Sequence, residues 1–358
     1  MRASLRASSV HPVVRVTGNF ASEAPLSPPV RDALLAAFDQ GWADPKKQSQ
    51  AASRAAILRN QSIENIASRV GIPVQSVEVL GEPSLGHFLA IAGLLRNEST
   101  FAYASIDKGK VRAIARRHEG SCLELPVTSD GQISFPNSLP PATTLSLQLA
   151  NGETGVIQLH NEALESAQFI SVDATTSGAR VALPSRWDSA LFDARSWNGP
   201  AGLSILAIAN RADFAYPLPH LAPISAPGSY SLPLLIAASV ALESFVVETP
   251  ENREYLISEL QKLERVEVVA QDSPSINSIL SCVIKGARNE VIVRELASQG
   301  IDVDAGSACS PADLQPSHVL ASMGYETDGH LRFTIRADVS KDEITKAVQS
   351  LKAVISAI

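Results

Sequence analysis

Cysteine is scarce in this sequence. Three residues, Cys122, Cys282 and Cys309, are spread over 358 positions. They are too few and too far apart for a disulfide framework or a zinc site, so no metal is expected and a reducing compartment suits them. An excess of positive charge is also lacking. Thirty Lys and Arg against 37 Asp and Glu leave a net charge of -7, which argues against a general pull toward nucleic acid or an anionic membrane. The one short basic cluster, Arg112, Arg116 and Arg117, reads as a solvated helix face. Long hydrophobic runs are missing as well. The longest, Leu232 to Val247, carries Pro233 and Glu243; it is too short and interrupted to span a bilayer and reads as a buried helix. The first residues hold arginines and serines but no apolar run of signal-peptide length, so a cytoplasmic protein is expected.

What is present is an ordinary globular composition, 45% hydrophobic and 19% charged, long enough for two domains. Helix and strand signals alternate, the pattern of an α/β fold. Leu34, Leu35 and Phe38 form the apolar face of a first helix ending near Gly41. Ile57, Ile63, Ile66 and Val70 form a second stripe, closed by Gly71 and Pro73. The runs Phe101 to Ile106, Leu145 to Ala150, Phe169 to Val172 and Leu203 to Ile208 read as buried parallel strands. The chemistry of such folds gathers at the strands' C-terminal ends.

Pro250 marks a boundary. Beyond it, strands at Val266 to Val269, Ser281 to Ile284, Ile301 to Val303 and Leu331 to Ile335 alternate with helices near Val291 to Ala297 and Glu343 to Ile355. Ser340 and Glu343 read as a capping box for the last helix, with Ile344, Ala347, Val348, Leu351 and Ile355 as its apolar face. We expect a large domain over 16–249 and a small α+β domain over 250–358, with residues 1–15 packing on the latter.

The most specific segment is Ala305-Gly306-Ser307-Ala308-Cys309-Ser310-Pro311-Ala312-Asp313-Leu314-Gln315-Pro316-Ser317-His318-Val319-Leu320. It resembles the active-site loop of cysteine desulfurases of the class V aminotransferase family, in the group with a long cysteine loop. Gly329-His330-Leu331-Arg332-Phe333 resembles the strand whose arginine grips the substrate carboxylate, a task suited to a bidentate fork. Asn151-Gly152-Glu153-Thr154-Gly155-Val156-Ile157-Gln158 resembles the Asn-Asn-Glu-x-Gly-x-x-Gln segment beside the cofactor. Val172-Asp173-Ala174-Thr175 resembles the strand end whose aspartate pairs with the pyridinium nitrogen of pyridoxal 5'-phosphate.

The resemblance implies a type I aminotransferase (PLP-transferase) fold with a mostly parallel sheet, a homodimer, L-cysteine as ligand and Cys309 as the sulfur-accepting nucleophile. It assigns Arg332 and Asn151 to the substrate. It assigns Asp173, Ser84, Thr176, Lys108, Arg195 and Ser196 to cofactor positions. Read singly, each has a plainer role: Cys309 an inert thiol, Asp173 a helix cap, Arg332 a strand-face ion pair, Asn151 and Glu153 braces of a turn.

The sequence departs from the family where the cofactor should be held. The Ser-x-His-Lys-x-x-Gly-Pro-x-Gly segment becomes Asp193-Ala194-Arg195-Ser196 before Gly199-Pro200-Ala201-Gly202, which leaves Ser196 at the lysine. A hydroxyl supplies neither the amine anchor nor the proton-shuttling base, a loss of about 10²–10⁴-fold for the base alone. The Gly-x-Thr phosphate turn becomes Glu82-Pro83-Ser84, so Glu82 and Asp193 would both face phosphate, with Arg195 offsetting one. Lys108 stands at the ring-stacking histidine and Thr176 at the glutamine that bonds the phenolic oxygen. Beside Asp107 and Lys110, Lys108 reads as a solvated surface lysine; the alternative is a relocated amine. Three functions follow: a degenerate desulfurase that carries sulfur on Cys309, an active desulfurase with an unusual cofactor site, or a non-catalytic partner of a paralogous desulfurase. A sulfur-acceptor protein belongs to the first two.

Overall fold

The structure is a computed structural model that describes residues 17–40, 42–159, 161–221, 223–305 and 316–358. Its larger sheet has the strand order β2 (Val77–Leu80), β8 (Ser204–Ile208), β7 (Ser189–Asp193), β6 (Phe169–Asp173), β5 (Thr143–Gln148), β3 (Thr100–Ala104), β4 (Cys122–Leu125). Strands β3 to β7 run parallel, whereas β8 is antiparallel to both its neighbours. This corrects the expectation of a parallel strand at Leu203 to Ile208. Only residues 194–203 join β7 to β8, too few for the crossover that a parallel return needs, so the chain turns straight back.

Alternate residues of these strands enter separate cores, as a period of two requires. Ala190, Phe192, Ile205 and Ala207 join the core formed with α2 (Gln50–Val70) and α5 (Leu232–Glu243). Leu191, Leu206 and Ile208 face α3 (Gly86–Ala92) on the other side. The run starting at Leu232 is the buried helix α5, although Val246 and Val247 beyond its end are exposed. Helix α1 (Pro28–Gln40) packs on α5 through Val30 and Ala37, while Leu35 and Phe38 stay 59% and 56% exposed. Of the expected stripe on α1, Leu34 packs against the core and Leu35 and Phe38 do not. On α2, Ile63, Ile66 and Val70 are buried and Ile57 is exposed; Gly71 ends the helix in the left-handed region at φ 73°. Helix α4 (Gly109–Arg117) follows β3 and leaves Arg116 and Arg117 exposed.

The second sheet has the order β1 (Asn19–Phe20), β11 (Asp302–Ala305), β12 (His330–Thr334), β10 (Ile279–Ile284), β9 (Val266–Val268). The expected large-domain start at residue 16 thus falls just before a strand of this second sheet. Helices α6 (Pro250–Leu260), α7 (Asn289–Ser298) and α9 (Lys341–Ala357) bury their apolar stripes in its core. Both halves of the Ser340–Glu343 capping box are made. Helix α8 (His318–Met323) instead sends Val319, Leu320 and Met323 into the core of the larger sheet. Among the described residues, no helix is long and apolar enough to cross a membrane.

At the junction, Glu248 receives a buried fork from Arg180, with Nε to Oε2 at 2.7 Å and Nη2 to Oε1 at 2.6 Å. Arg180 also lies over the Phe245 ring and donates to the Ser196 carbonyl, while Asn277 donates to the Glu248 carbonyl at 2.9 Å. Removing one partner of such a pair strands a buried charge, at a cost of about 3–5 kcal/mol. Glu248→Ala should therefore lower the free energy of unfolding by that order, read from urea titration.

Candidate active site

Asp173 ends β6, at the edge of the parallel sheet where successive loops converge. It is 5% exposed. Its Oδ1 accepts from the Thr175 backbone N–H at 2.9 Å and from the Thr175 hydroxyl at 2.5 Å. Its Oδ2 lies 2.9 Å from His87 Nε2 and 3.2 Å from Lys108 Nζ. Burial alone would raise this carboxyl, but Lys108 and His87 outweigh it and hold it well below the usual carboxylate range.

This arrangement overturns the reading of Lys108 as a solvated lysine. The turn between β3 and α4 aims Lys108 inward, and Nζ also donates to Thr175 Oγ1 and, at 3.4 Å, to Thr176 Oγ1. Asp107, also expected to be solvated, is 1% exposed. It closes the turn by accepting from the Ala104 N–H at 3.0 Å. Burial first, and then the neighbouring Asp173 charge, push Asp107 up to about 7, against the hydrogen bonds from Ala104 and Ser146. Only Lys110 of the three charges faces solvent. Consecutive charges on a turn cannot reveal which of them it aims inward.

A second cluster surrounds the turn after β5. Asn151 Oδ1 accepts from the N–H groups of Glu153 at 2.8 Å and Thr154 at 3.0 Å, and its amide donates to Gln148 at 2.9 Å. Its hydrogen bonds brace the turn. Arg332 reaches this turn from β12, where the ladder pairs it with Ser281 and Asp304. Nη1 donates to the Gly152 carbonyl at 2.9 Å and Nη2 to Asp304 at 2.5 Å, while Nε is buried without a partner among the described residues. The two terminal nitrogens expected to grip a substrate carboxylate are thus engaged by Gly152 and Asp304. Glu153 accepts from the Ser317 hydroxyl at 2.5 Å. Burial pushes its carboxyl up to about 6, opposed by Ser317 and Arg332.

The remaining positions form a separate group. The Ser196 hydroxyl turns back to the Asp193 carbonyl at 2.6 Å, and its side chain lies so close to Gly178 that a methyl there would come within 2.3 Å of Oγ. Asp193 pairs with Arg195 at 2.8 Å. Ser84 donates its hydroxyl to Glu82 at 2.5 Å and its N–H at 3.2 Å, which lowers the exposed Glu82 carboxyl. Cys309 lies outside the described residues. Among those described, no group of His, Cys, Asp and Glu could hold a metal ion.

These residues do not fit pyridoxal phosphate. The aspartate that would meet the ring nitrogen is already saturated, the phosphate positions carry two carboxylates, and the lysine position holds a folded-back hydroxyl. A small cavity between α3 and the sheet, lined by His87, Ala90, Ser146, Asp173 and Leu191, measures about 10 Å³, room for about one water.

His87 was not among the expected site residues. Its signal was present: it is the one polar side chain in the apolar helix Gly86-His87-Phe88-Leu89-Ala90-Ile91-Ala92. Asp107 reads in the sequence as solvated, and the structure buries it. Because the folded state holds the Asp107 proton more tightly than the unfolded chain, this group's contribution to stability is complete at low pH. It is lost as pH rises from the usual carboxylate range through about 7. Asp107→Asn keeps the acceptor and cannot ionise. Its stability relative to the parent should climb between about pH 4 and pH 7 and then level off, as urea midpoints at several pH values would show.

Comparison with known proteins is consistent with this geometry. The family model Aminotransferase class-V matches residues 234–346. The chain is 22% identical to "Cysteine desulfurase IscS" of Dictyoglomus turgidum, covering 94% of this chain and 93% of that protein. It is 26% identical to "Cysteine desulfurase 2" of Trichormus variabilis over 64% of each. Among solved structures, a "NIFS-LIKE PROTEIN" superposes with a TM-score of 0.82 at 17% identity, covering 96% of this chain and all of that one. The cysteine desulfurase CsdA of Escherichia coli gives 0.77 at 16% identity, over 97% of each. These superpositions show the type I aminotransferase fold. The class V aminotransferase model thus matches the C-terminal part of the chain, and the curated relatives just named are cysteine desulfurases.

Proposed function

We propose that this chain is a cysteine desulfurase-like protein whose pyridoxal chemistry has lapsed and which carries sulfur as a persulfide on Cys309. The observation that carries the first half is Ser196, at the lysine position and turned onto the Asp193 carbonyl. No amine stands there to anchor a cofactor or to move the substrate's α-proton. Sulfur must then arrive already mobilised, on the persulfide of a donor such as an active paralogue. The Cys309 thiolate attacks the donor's outer sulfur, the donor S–S bond breaks, and the donor leaves as a thiolate. The hydrogen stays on the transferred sulfur, now the terminus of the Cys309 persulfide. A sulfur-acceptor protein would take it by the same exchange.

The other two thiols support this assignment by their unsuitability. Cys282 is fully buried in β10, and burial pushes its thiol up to about 12. Cys122, on the edge strand β4, donates to the Ala115 carbonyl at 3.2 Å, and burial raises it too. Neither supplies much thiolate at neutral pH. The proposed setting is a cytoplasmic homodimer with the domain division at Pro250. A second reading, a non-catalytic partner of a true desulfurase, is favoured by exposed Leu35, Phe38, Trp42 and Ile57.

Two measurements test the proposal. Purified protein given pyridoxal phosphate and L-cysteine should develop no cofactor absorbance band and release no sulfide with a reductant; sustained turnover would refute the lapse of cofactor chemistry. Under native differential alkylation with peptide mapping, Cys309 should react first. Labelling of Cys122 or Cys282 ahead of it would leave the partner reading as the better one.

A further inference from the structure

We infer that Lys108 is a built-in counter-cation that fills the place in which the family would seat the cofactor ring. The inference rests on the misfit to pyridoxal phosphate and concerns what this chain has put there instead. A carboxylate as buried as Asp173 needs a compensating positive charge, and a bound pyridinium would normally supply one. Here the charge is intramolecular. The Lys108 ammonium has three protons, and three acceptors face it: Asp173 Oδ2 at 3.2 Å, Thr175 Oγ1, and Thr176 Oγ1 at 3.4 Å.

The position of its stem strengthens the assignment. A methyl placed on Gly152 would lie 3.7 Å from Lys108 Cε and 3.2 Å from Thr176 Oγ1, so the lysine stem runs between the turn at Gly152 and the loop after Asp173. By resemblance these same residues border the ring. Asp173 would meet its nitrogen, position 176 its phenolic oxygen, and position 108 its face. Lys108 takes the first two contacts for itself from the third position. With its charge shared by a buried carboxylate and two hydroxyls, it serves as a fixed ion rather than as a relocated nucleophilic amine.

Thermal melts of the cofactor-free full chain test this. Lys108→Ala should lower Tm by on the order of 10 °C, because Asp173 keeps only His87. Ethylammonium chloride should restore part of that loss in the variant and leave the parent unmoved. Equal ionic strength of sodium chloride, or equal ethanol, should not. Should Lys108→Ala fold poorly, the pair Lys108→Met and Lys108→Met with Asp173→Asn gives the same information. The double variant should be the more stable, since it no longer buries an uncompensated charge. Three results would overturn the inference: no loss of Tm in Lys108→Ala, rescue by ethanol as good as by ethylammonium, or a double variant no more stable than the single. Cofactor uptake by the parent chain is a separate outcome, which bears on the sulfur-carrier reading.

Discussion

A buried carboxylate at the end of a parallel strand sets the terms for everything around it. Asp173 cannot stay ionised at 5% exposure without a compensating charge, and the fold brings Lys108 from the start of α4, with the His87 ring of α3 beside it. The parallel ladder makes this possible, because β3 and β6 discharge their following loops at the same edge of the sheet. Asp107, one residue before Lys108, meets the opposite fate. Its burial first, and then the neighbouring Asp173 charge, raise its carboxyl to about 7, against a weaker pull from Lys108. Two carboxylates in one pocket are thus kept apart in charge state by which of them faces the lysine.

The second constraint is the turn at Asn151-Gly152-Glu153, where the two sheets meet. Arg332 from β12 donates to the Gly152 carbonyl, Ser281 from β10 donates to the Glu153 carbonyl at 2.7 Å, and Ser317 donates to the Glu153 carboxylate. His318, next to Ser317, lies 2.9 Å from the Asp107 carbonyl. The C-terminal layer is therefore fastened to the very loops that carry the Asp173 cluster. This explains why Asn151 and Arg332 keep the residue types of an active desulfurase although no catalytic task is needed to account for them. Both are consumed by the joint. Family resemblance in such residues is evidence for the fold first and for chemistry only second.

Much of this architecture was legible in the chain. Alternation of helix and strand, the apolar run of α5 and the capping box of α9 are local patterns, and local patterns survive in sequence. The reversal of β8 could have been read too, since a ten-residue connection leaves no room for a crossover. Other features lay beyond local reading. An apolar residue on α1 or α2 does not say whether its face meets α5 or solvent, which is why Leu35, Phe38 and Ile57 were misassigned. The inward aim of Asp107 and Lys108 is likewise invisible, because it depends on Asp173 lying 65 residues beyond Lys108 and on His87 preceding both.

The sequence by itself determined the resemblance to cysteine desulfurases, the order of elements and the serine at position 196, for these depend on residue identity and spacing alone. Only the tertiary structure decided what surrounds Asp173. Whether Lys108 is a surface charge, a stray amine or the partner of Asp173 turns on a distance of 3.2 Å between the turn before α4 and the end of β6. Charge compensation in a buried site is a property of distance and solvent exclusion, and neither is written in the order of residues along the chain.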